Sequence, residues 1–293
     1  MAFAPATREK SYLRMALIGT PGSGKTYTAL KVMQNLVGPG FAVIDTEHGS
    51  ARKYAPLPGE AADPEKGTFD FVHADLSNYD PANYIALIKE AAAAKIPGIV
   101  IDSLTHAWSG IGGILDKKDQ LDRTSKNSYT NWRDLTPIHN KLIEAILEFP
   151  GHVIVCFRAK MEYAQEKDEN GRSKVVKLGL GAIQRDDVEY EFDVVMLMDQ
   201  NNSAQVVKTR YSFLSGKTIS KPGKEVAADL AYWLGQGGDP PMTREELVLK
   251  AAELGLSEAD LGVFLAKNKL TNLQGFNRYT VMYEALVKSK NAS

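Results

Sequence analysis

Cysteine is almost missing from this sequence. Cys156 is the single one among 293 residues, which excludes intrachain disulfide bonds and zinc sites built on several cysteines. The five histidines show no spacing typical of paired metal ligands. A chain with so few thiols is typical of a reducing compartment, and we expect a cytoplasmic protein.

Long apolar runs and an excess of charge of one sign are missing as well. No apolar run reaches the ~18 residues of a membrane-spanning helix, and the first ten residues lack the apolar core of a signal peptide, so we expect neither membrane insertion nor secretion. Lys and Arg number 35 against 36 Asp and Glu, a net charge of -1. Any nucleic-acid-binding surface therefore has to be local.

Apolar runs alternate with segments of helical periodicity through most of the chain. Strands are predicted over 12–18, 41–45, 99–102, 152–157, 193–198 and 204–209. Helices are predicted over 26–37, from Asp80-Pro81 to residue 96, and over 131–148, where Pro137 marks either a kink or the true start. This alternation predicts an α/β fold with a mostly parallel central sheet flanked by helices.

A glycine- and proline-rich stretch over 235–241 predicts a linker. We therefore expect an α/β core over 1–236 and a linker with a small helical module over 237–293. In that module Ser257 is predicted to be a helix N-cap.

A glycine-rich loop between the first strand and the first helix fits G-x-x-x-x-G-K-[ST] at every fixed position. Backbone N–H groups of such a loop and the helix N-terminus bind phosphate oxygens. Lys25 is predicted to reach the β and γ phosphates and Thr26 to bind Mg²⁺. The motif predicts ATP and Mg²⁺ as cofactors. The alternative interpretation is a glycine-rich turn that binds no nucleotide. The predicted nucleotide-binding residues are Gly19, Thr20, Pro21, Gly22, Ser23, Gly24, Lys25, Thr26 and the adjoining Tyr27.

Carboxylates follow two of the predicted strands. Asp102 ends strand 99–102 and is the predicted second anchor of the metal, with a simple helix cap as the alternative. Asp45 and Glu47 end strand 41–45, at the edge where open α/β sheets bind ligands. Glu47 is the candidate for polarising the attacking water, although an exposed loop acid is the commoner interpretation.

The order of these motifs resembles the RecA-type recombinase core: the phosphate loop, then Ile-Asp-Thr-Glu-His over 44–48, then Ile-Val-Ile-Asp-Ser over 99–103. The resemblance implies that Glu47 activates water, that Asp102 lies on the metal side and that Tyr54 stacks on adenine. The segment Val-Val-Lys-Thr-Arg over 206–210 resembles the family's strand whose two cations reach the ATP of a neighbouring protomer. That role would fall to Lys208 and Arg210; the alternative is solubilising charge on an exposed strand.

The sequence differs from this family at residue 158. The family has a glutamine at the corresponding strand end, and this chain has Arg158. Two roles stay open for it: sensing the γ-phosphate directly, or contacting DNA. We place it among the nucleotide-binding candidates.

More closely, residues 101–108, the glycines near 112 and residues 157–163 resemble phage-encoded RecA-like ATPases of the Sak type. This resemblance implies an ATPase stimulated by single-stranded DNA that assists annealing or recombination as a filament or ring. The implied partners are a phage single-strand-binding protein, an annealase or a nuclease, and the implied location is the host cytoplasm.

In RecA-like proteins two loops face DNA, and here they would span 107–130 and 158–190. Both combine cations with aromatic residues, a mixture suited to single strands because phosphates need charge and unstacked bases need a flat apolar face. Acidic residues in the second loop leave a merely solvated surface as the alternative. The DNA-binding candidates are Lys117, Lys118, Arg123, Lys126, Lys160, Tyr163, Arg172 and Lys174.

Two other functions compete with DNA-dependent ATP hydrolysis. One is a nucleotide-dependent assembly module that acts on a protein partner through its helical C-terminus without DNA. The other is a RecA-fold motor resembling hexameric helicases. A small-molecule kinase is disfavoured because we find no compact arginine-bearing lid.

Overall fold

The computed structural model describes residues 11–124, 128–167, 173–235, 242, 244–273 and 278–291, without the side chains of 128–129, 162–167, 173–178, 280 and 291. This part of the chain holds nine strands and nine α-helices. It divides into two compact units, Tyr12–Gly223 and the residues from Lys224 onward together with Ser11. The predicted boundary after residue 236 stays a prediction.

The first unit is built on one large sheet. Its strands are β1 (Arg14–Gly19), β2 (Phe41–Asp45), β3 (Phe71–Asp75), β4 (Gly98–Asp102), β5 (His152–Lys167), β6 (Ser173–Ala182), β7 (Val194–Met198), β8 (Ser203–Thr209) and β9 (Thr218–Ser220). They lie in the order β3-β2-β4-β5-β1-β7-β8-β9, with β6 paired to β5. The pairs from β3 to β7 are parallel, and β6, β8 and β9 add antiparallel pairs. The predicted fold class is confirmed.

The helices of this unit are α1 (Lys25–Val37), α2 (Pro81–Ala93), α3 (Thr105–Ser109), α4 (Ile114–Thr124) and α5 (Ser128–Glu148). All six residues of β1 and all five of β4 are buried, as expected for parallel strands covered on both faces. Alternate β1 residues such as Ala16 and Ile18 pack in one cluster with α2 and α5.

Helix α2 begins as predicted, because the Asp80 side chain accepts a hydrogen bond from the Ala82 amide at 3.0 Å and Pro81 occupies the first helical position. Pro137 lies inside α5 and is not its start.

The predicted loops over 107–130 and 158–190 are largely regular structure. The first contains α3 and α4, and the second contains most of the β5–β6 hairpin. Helix α4 gave a weak signal because Ile114 is its one buried residue among those described. The edge strand β3 also escaped prediction, since its residues are half-buried or exposed and lack an apolar pattern.

The second unit consists of α6 (Lys224–Gly235), α7 (Arg244–Glu253), α8 (Glu258–Lys267) and α9 (Arg278–Asn291). Its core residues are Leu247, Ala251, Leu261, Met282 and Leu286. Ser257 caps α8 as predicted: its hydroxyl accepts from the Asp260 amide at 3.1 Å, and the Asp260 carboxylate accepts from the Ser257 amide at 3.2 Å. No described helix is both long and apolar enough to cross a membrane.

One buried cation fastens the end of α5 to the start of the central strands. Arg14 is 7% exposed and donates to the carbonyls of Leu147 and Phe149 at 2.7 and 2.5 Å and to that of Gly151 at 2.7 Å. Leu147 belongs to the last turn of α5, where helix carbonyls have no intrahelical partner, and Phe149 and Gly151 follow that turn.

Replacing Arg14 by methionine should destabilise the protein by about 2–4 kcal/mol, because several buried carbonyls would lose their charged donor. Arg52→Met is the matched control. Arg52 pairs with Asp75 at 3.0 Å on the surface and should contribute less than about 1 kcal/mol. Urea unfolding followed by circular dichroism would compare the two, and equal stabilities would contradict the role assigned to Arg14.

Candidate nucleotide-binding site

Strand register brings the predicted site residues to one edge of the sheet. In the β1–β5 pair Gly19 lies opposite Arg158, and in the β4–β2 pair Asp102 lies opposite Asp45. Because these strands are parallel, their carboxyl ends share one edge. Residues far apart in sequence therefore meet around the phosphate loop.

The phosphate loop has the backbone that its glycines predict. Gly22 and Gly24 have φ of 80° and 82°, a left-handed conformation that glycine adopts without strain. A side chain at Gly19 would come within 2.4 Å of the Ser23 hydroxyl. That hydroxyl is fully buried and has no hydrogen-bond partner among the described residues. An unpartnered buried donor inside a loop of amides suits a phosphate oxygen.

Lys25 and Thr26 are placed for a phosphate and a metal ion. The Lys25 ammonium donates to the carbonyls of Gly19 and Thr20 at 2.9 and 3.0 Å, bonds that an arriving phosphate can replace. The Thr26 hydroxyl donates to the Asp102 carboxylate at 2.5 Å. Oxygen ligands of this kind suit Mg²⁺ completed by nucleotide oxygens. The described residues contain no cluster of three or more His, Cys, Asp or Glu that could hold a metal alone.

Asp102 is an unusual carboxylate because it is 3% exposed. Burial raises its pKa to about 6; the hydrogen bond from Thr26 opposes the rise, and the negative charge of Glu47 adds to it. A divalent cation favours the ionised form, so binding of magnesium at this position should release a proton in the range around pH 6.

Glu47 is held by Arg158. The guanidinium donates from Nε to Oε1 at 2.9 Å and from Nη2 to Oε2 at 2.5 Å, and the Ser103 hydroxyl donates to Oε1 at 3.3 Å. Burial alone would raise the pKa of Glu47, but the hydrogen bonds and charge of Arg158 outweigh it, and the pKa lies below its usual value. Arg158 thus lies beside the nucleotide site, which favours γ-phosphate sensing over the DNA contact.

The loop that carries Glu47 is fixed by buried side chains. Asp45 accepts from the amides of Glu47 and Ala51 at 2.7 and 2.9 Å, which assigns it a structural role. The Thr46 hydroxyl lies 2.7 Å from His106 Nδ1, and the His106 ring stacks on Tyr79 at 4.7 Å. His106 therefore forms a hydrogen bond beside the site.

A cavity of about 470 Å³ adjoins the phosphate loop. The predicted Tyr27 and Tyr54 line it together, with their rings 5.5 Å apart edge to face. Besides Thr28, the cavity is also lined by Lys31, Asn202, Lys221 and Pro222, which the sequence did not single out. Of these four, only Lys31 could have been predicted, because it follows Tyr27 by one helical turn. The other three belong to loops that are distant in sequence.

The proposed trans-acting cations are engaged within their own chain. The Lys208 ammonium on β8 donates to the carbonyls of Glu189, Tyr190 and Phe192 at 3.2, 2.5 and 2.6 Å. Arg210 pairs with Asp193 at 3.3 Å and is largely exposed. A role at a neighbour's ATP stays a prediction, and Lys208 would have to exchange these bonds to fulfil it.

Two of the DNA-binding candidates are held by carboxylates. Lys117 pairs with Asp80 at 2.7 Å, and Lys118 pairs with Asp122 at 2.5 Å. Arg123 on α4 and Lys160 on β5 are exposed. Lys126, Arg172 and the side chains of Tyr163 and Lys174 lie outside the described residues.

A family model described as an AAA domain matches residues 11–221. The chain belongs to this AAA-domain family. The crystal structure of the KaiC-like protein PH0186 from the hyperthermophilic archaeon Pyrococcus horikoshii OT3 is similar, with 16% identity and a TM-score of 0.39 over 75% of this chain and 98% of that chain. A search of curated proteins finds no significant match. The AAA-domain match supports the predicted P-loop ATPase, and the predicted α/β fold with a mostly parallel sheet is confirmed, while the phage origin and Sak type stay predictions.

The raised pKa of Asp102 predicts a pH dependence of nucleotide binding. Its protonated form weakens the metal site, so the affinity for Mg²⁺ and ATP should rise between pH 5 and 7 as the carboxyl group ionises. Asp102→Asn should bind more weakly and lose this part of the pH dependence. Isothermal titration calorimetry across this pH range would measure the affinity of the wild type and of Asp102→Asn. If the affinity changed with pH in the same way in both proteins, the role assigned to Asp102 would be contradicted.

Proposed function

We propose that the chain hydrolyses ATP with Mg²⁺ at this site and that single-stranded DNA stimulates the reaction. The observation that carries the hydrolytic part is the meeting of three groups at the phosphate loop: the Lys25 ammonium, the Thr26–Asp102 pair and Glu47 held by Arg158. Phosphoryl transfer needs little more than such positioning and charge stabilisation.

Each group has a distinct task in this proposal. Loop amides, Lys25 and the Ser23 hydroxyl bind the phosphates, and Thr26 and Asp102 hold Mg²⁺, which supplies charge neutralisation when bound. Glu47 orients the attacking water and accepts its proton on a carboxylate oxygen. The adenosine would occupy the cavity lined by Tyr27 and Tyr54.

Arg158 must release Glu47 before that carboxylate can accept a proton. Both carboxylate oxygens of Glu47 are bound by the guanidinium in this structure. A γ-phosphate offers the guanidinium another bidentate anionic partner in the same region. Binding of ATP would thus move Arg158 from Glu47 to the phosphate and free the base.

The finer part of the proposal is a phage-encoded Sak-type protein that assists annealing or recombination as an oligomer. The motifs over 101–108 and 157–163 support it, together with exposed Arg123 and Lys160. Self-association would place Lys208 and Arg210 at a neighbour's nucleotide, and a phage single-strand-binding protein, annealase or nuclease would be the protein partner.

Steady-state ATP hydrolysis should rise when a poly-dT oligonucleotide is added, and the rise should fade as salt increases, because phosphate contacts are screened. Glu47→Gln should lower turnover by at least about a hundredfold. Lys25→Ala provides the background rate. Turnover indifferent to every oligonucleotide tested would remove DNA from the proposal and favour the assembly module instead.

Arg158→Ala should lower turnover by more than about tenfold through loss of transition-state charge stabilisation. It should also move the acidic limb of the kcat/KM profile to higher pH. That limb reports the free enzyme, in which Arg158 holds the pKa of Glu47 below its usual value. Arg158→Lys keeps the charge but loses the bidentate geometry. Its turnover and its acidic limb should lie between those of the wild type and Arg158→Ala. An acidic limb at the same pH in all three proteins would contradict the pairing.

A further inference from the structure

A groove runs along α5 on the side that faces residues 184–191. It consists of two adjoining cavities of about 540 and 340 Å³ that share Arg185, Asp186 and Asp187 as one wall. The larger cavity is lined by Trp108 and Trp132, and the smaller one by His139. We call this feature the α5 groove; both volumes fall in the roughly 300–1,000 Å³ of small-molecule sites.

Two stacked tryptophans supply a flat apolar wall. The rings of Trp108 and Trp132 lie 5.7 Å apart at an interplanar angle of 18°, and both residues are half-buried. The His139 ring meets Trp108 edge to face at 5.7 Å. Because both tryptophans line the larger cavity, part of this aromatic surface is open to a ligand.

Two polar groups of the groove lack partners among the described residues. His139 is 5% exposed, and its Nε2 has no hydrogen-bond partner. Arg185 is half-buried, and its guanidinium forms no ion pair within the described part of the chain. A buried ring nitrogen left without a partner is costly unless a ligand or water completes it, and the half-buried guanidinium can donate to the same ligand.

We propose that the α5 groove binds one unstacked base of single-stranded DNA. The base would lie against the tryptophan wall, and its polar edge would meet Arg185 and His139 Nε2. Every base has a flat face, so such a site tolerates sequence. This inference rests on the proposed function, because it names where the single strand is read.

The charges of the groove favour a base over a phosphate. Asp186 and Asp187 are exposed at its shared wall and repel phosphates. Lys118 lies over the Trp132 ring at 5.5 Å, but it is paired with Asp122. Phosphates would therefore stay outside, near exposed cations such as Arg123.

The groove is joined to the nucleotide site by a short bonded path. The buried Gln184 side chain accepts from the Arg185 amide at 2.9 Å and donates to the Leu104 carbonyl at 3.3 Å. Leu104 follows Asp102 by two residues, and the next residue, Thr105, accepts from the Arg158 amide at 2.9 Å. Occupation of the groove would thus act on the strand ends that carry the metal-side carboxylate and Arg158.

The test measures the affinity for a fluorescein-labelled single-stranded oligonucleotide of mixed sequence by anisotropy at several salt concentrations. Trp132→Ala should weaken binding by about 5- to 100-fold, the range for loss of one stacked base. The dependence of affinity on salt should keep its slope, because no phosphate contact is lost. Trp132→Phe should restore most of the affinity.

Two further variants keep the test decisive if Trp132→Ala folds poorly. Arg185→Met should weaken binding at an unchanged salt slope. Tyr12 is an aromatic residue that is 50% exposed and precedes β1, at the opposite edge of the sheet. Tyr12→Ala should therefore bind the oligonucleotide like the wild type. ATP turnover without DNA should be unchanged in all folded variants.

Wild-type affinity in both Trp132→Ala and Arg185→Met would overturn the α5 groove as a base site while DNA binding itself stands. A loss of affinity with a salt slope reduced by about one would indicate a phosphate contact and would also overturn it. Failure of the wild-type protein to bind the oligonucleotide would instead reject the proposed DNA dependence, together with the inference that rests on it.

Discussion

The parallel pairing of β1, β5 and β4 is the constraint on which the nucleotide site depends. Because β5 lies between the other two strands, Arg158, the last β5 residue paired with β1, is placed between the phosphate loop after β1 and Asp102 at the end of β4. A slip of the register by one residue would turn each side chain to the opposite face of the sheet. The fully buried β1 and β4 make such a slip costly.

The charged side chains at this edge already have partners within the protein before any nucleotide arrives. Asp102 shares its carboxylate with Thr26, and Arg158 neutralises Glu47. Lys25 is satisfied by loop carbonyls, not by a carboxylate. The resting site therefore has a cation ready for phosphate and a base kept weak by its partner. In the mechanism that we propose, this arrangement would couple the arrival of the γ-phosphate to the release of Glu47 without a large movement of the backbone.

The features that could be predicted from the sequence are those whose signals lie in neighbouring residues. The glycine loop, the buried strands and the caps at Asp80 and Ser257 each depend on neighbouring residues, and the structure places them as expected. Partners distant in sequence gave no signal: nothing near Lys221 indicates that it lines a cavity with Tyr27. The pairing of Arg158 with Glu47 was equally invisible, because it arises from sheet order.

The lysines of α4 show what composition alone leaves out about the expected DNA surface, which stays a prediction. The sequence predicts Lys117 and Lys118 as DNA contacts, but both are paired with carboxylates. Lys117 pairs with Asp80, which is distant in sequence, and Lys118 pairs with Asp122. Paired and partly buried charges contribute little to phosphate binding, since each contact would require breaking an ion pair. Among the described residues of this region, aromatic surface and polar groups without partners lie around Trp132, Arg185 and His139. If a single strand binds here, stacking and base-edge hydrogen bonds must therefore contribute more than the basic residues alone would indicate.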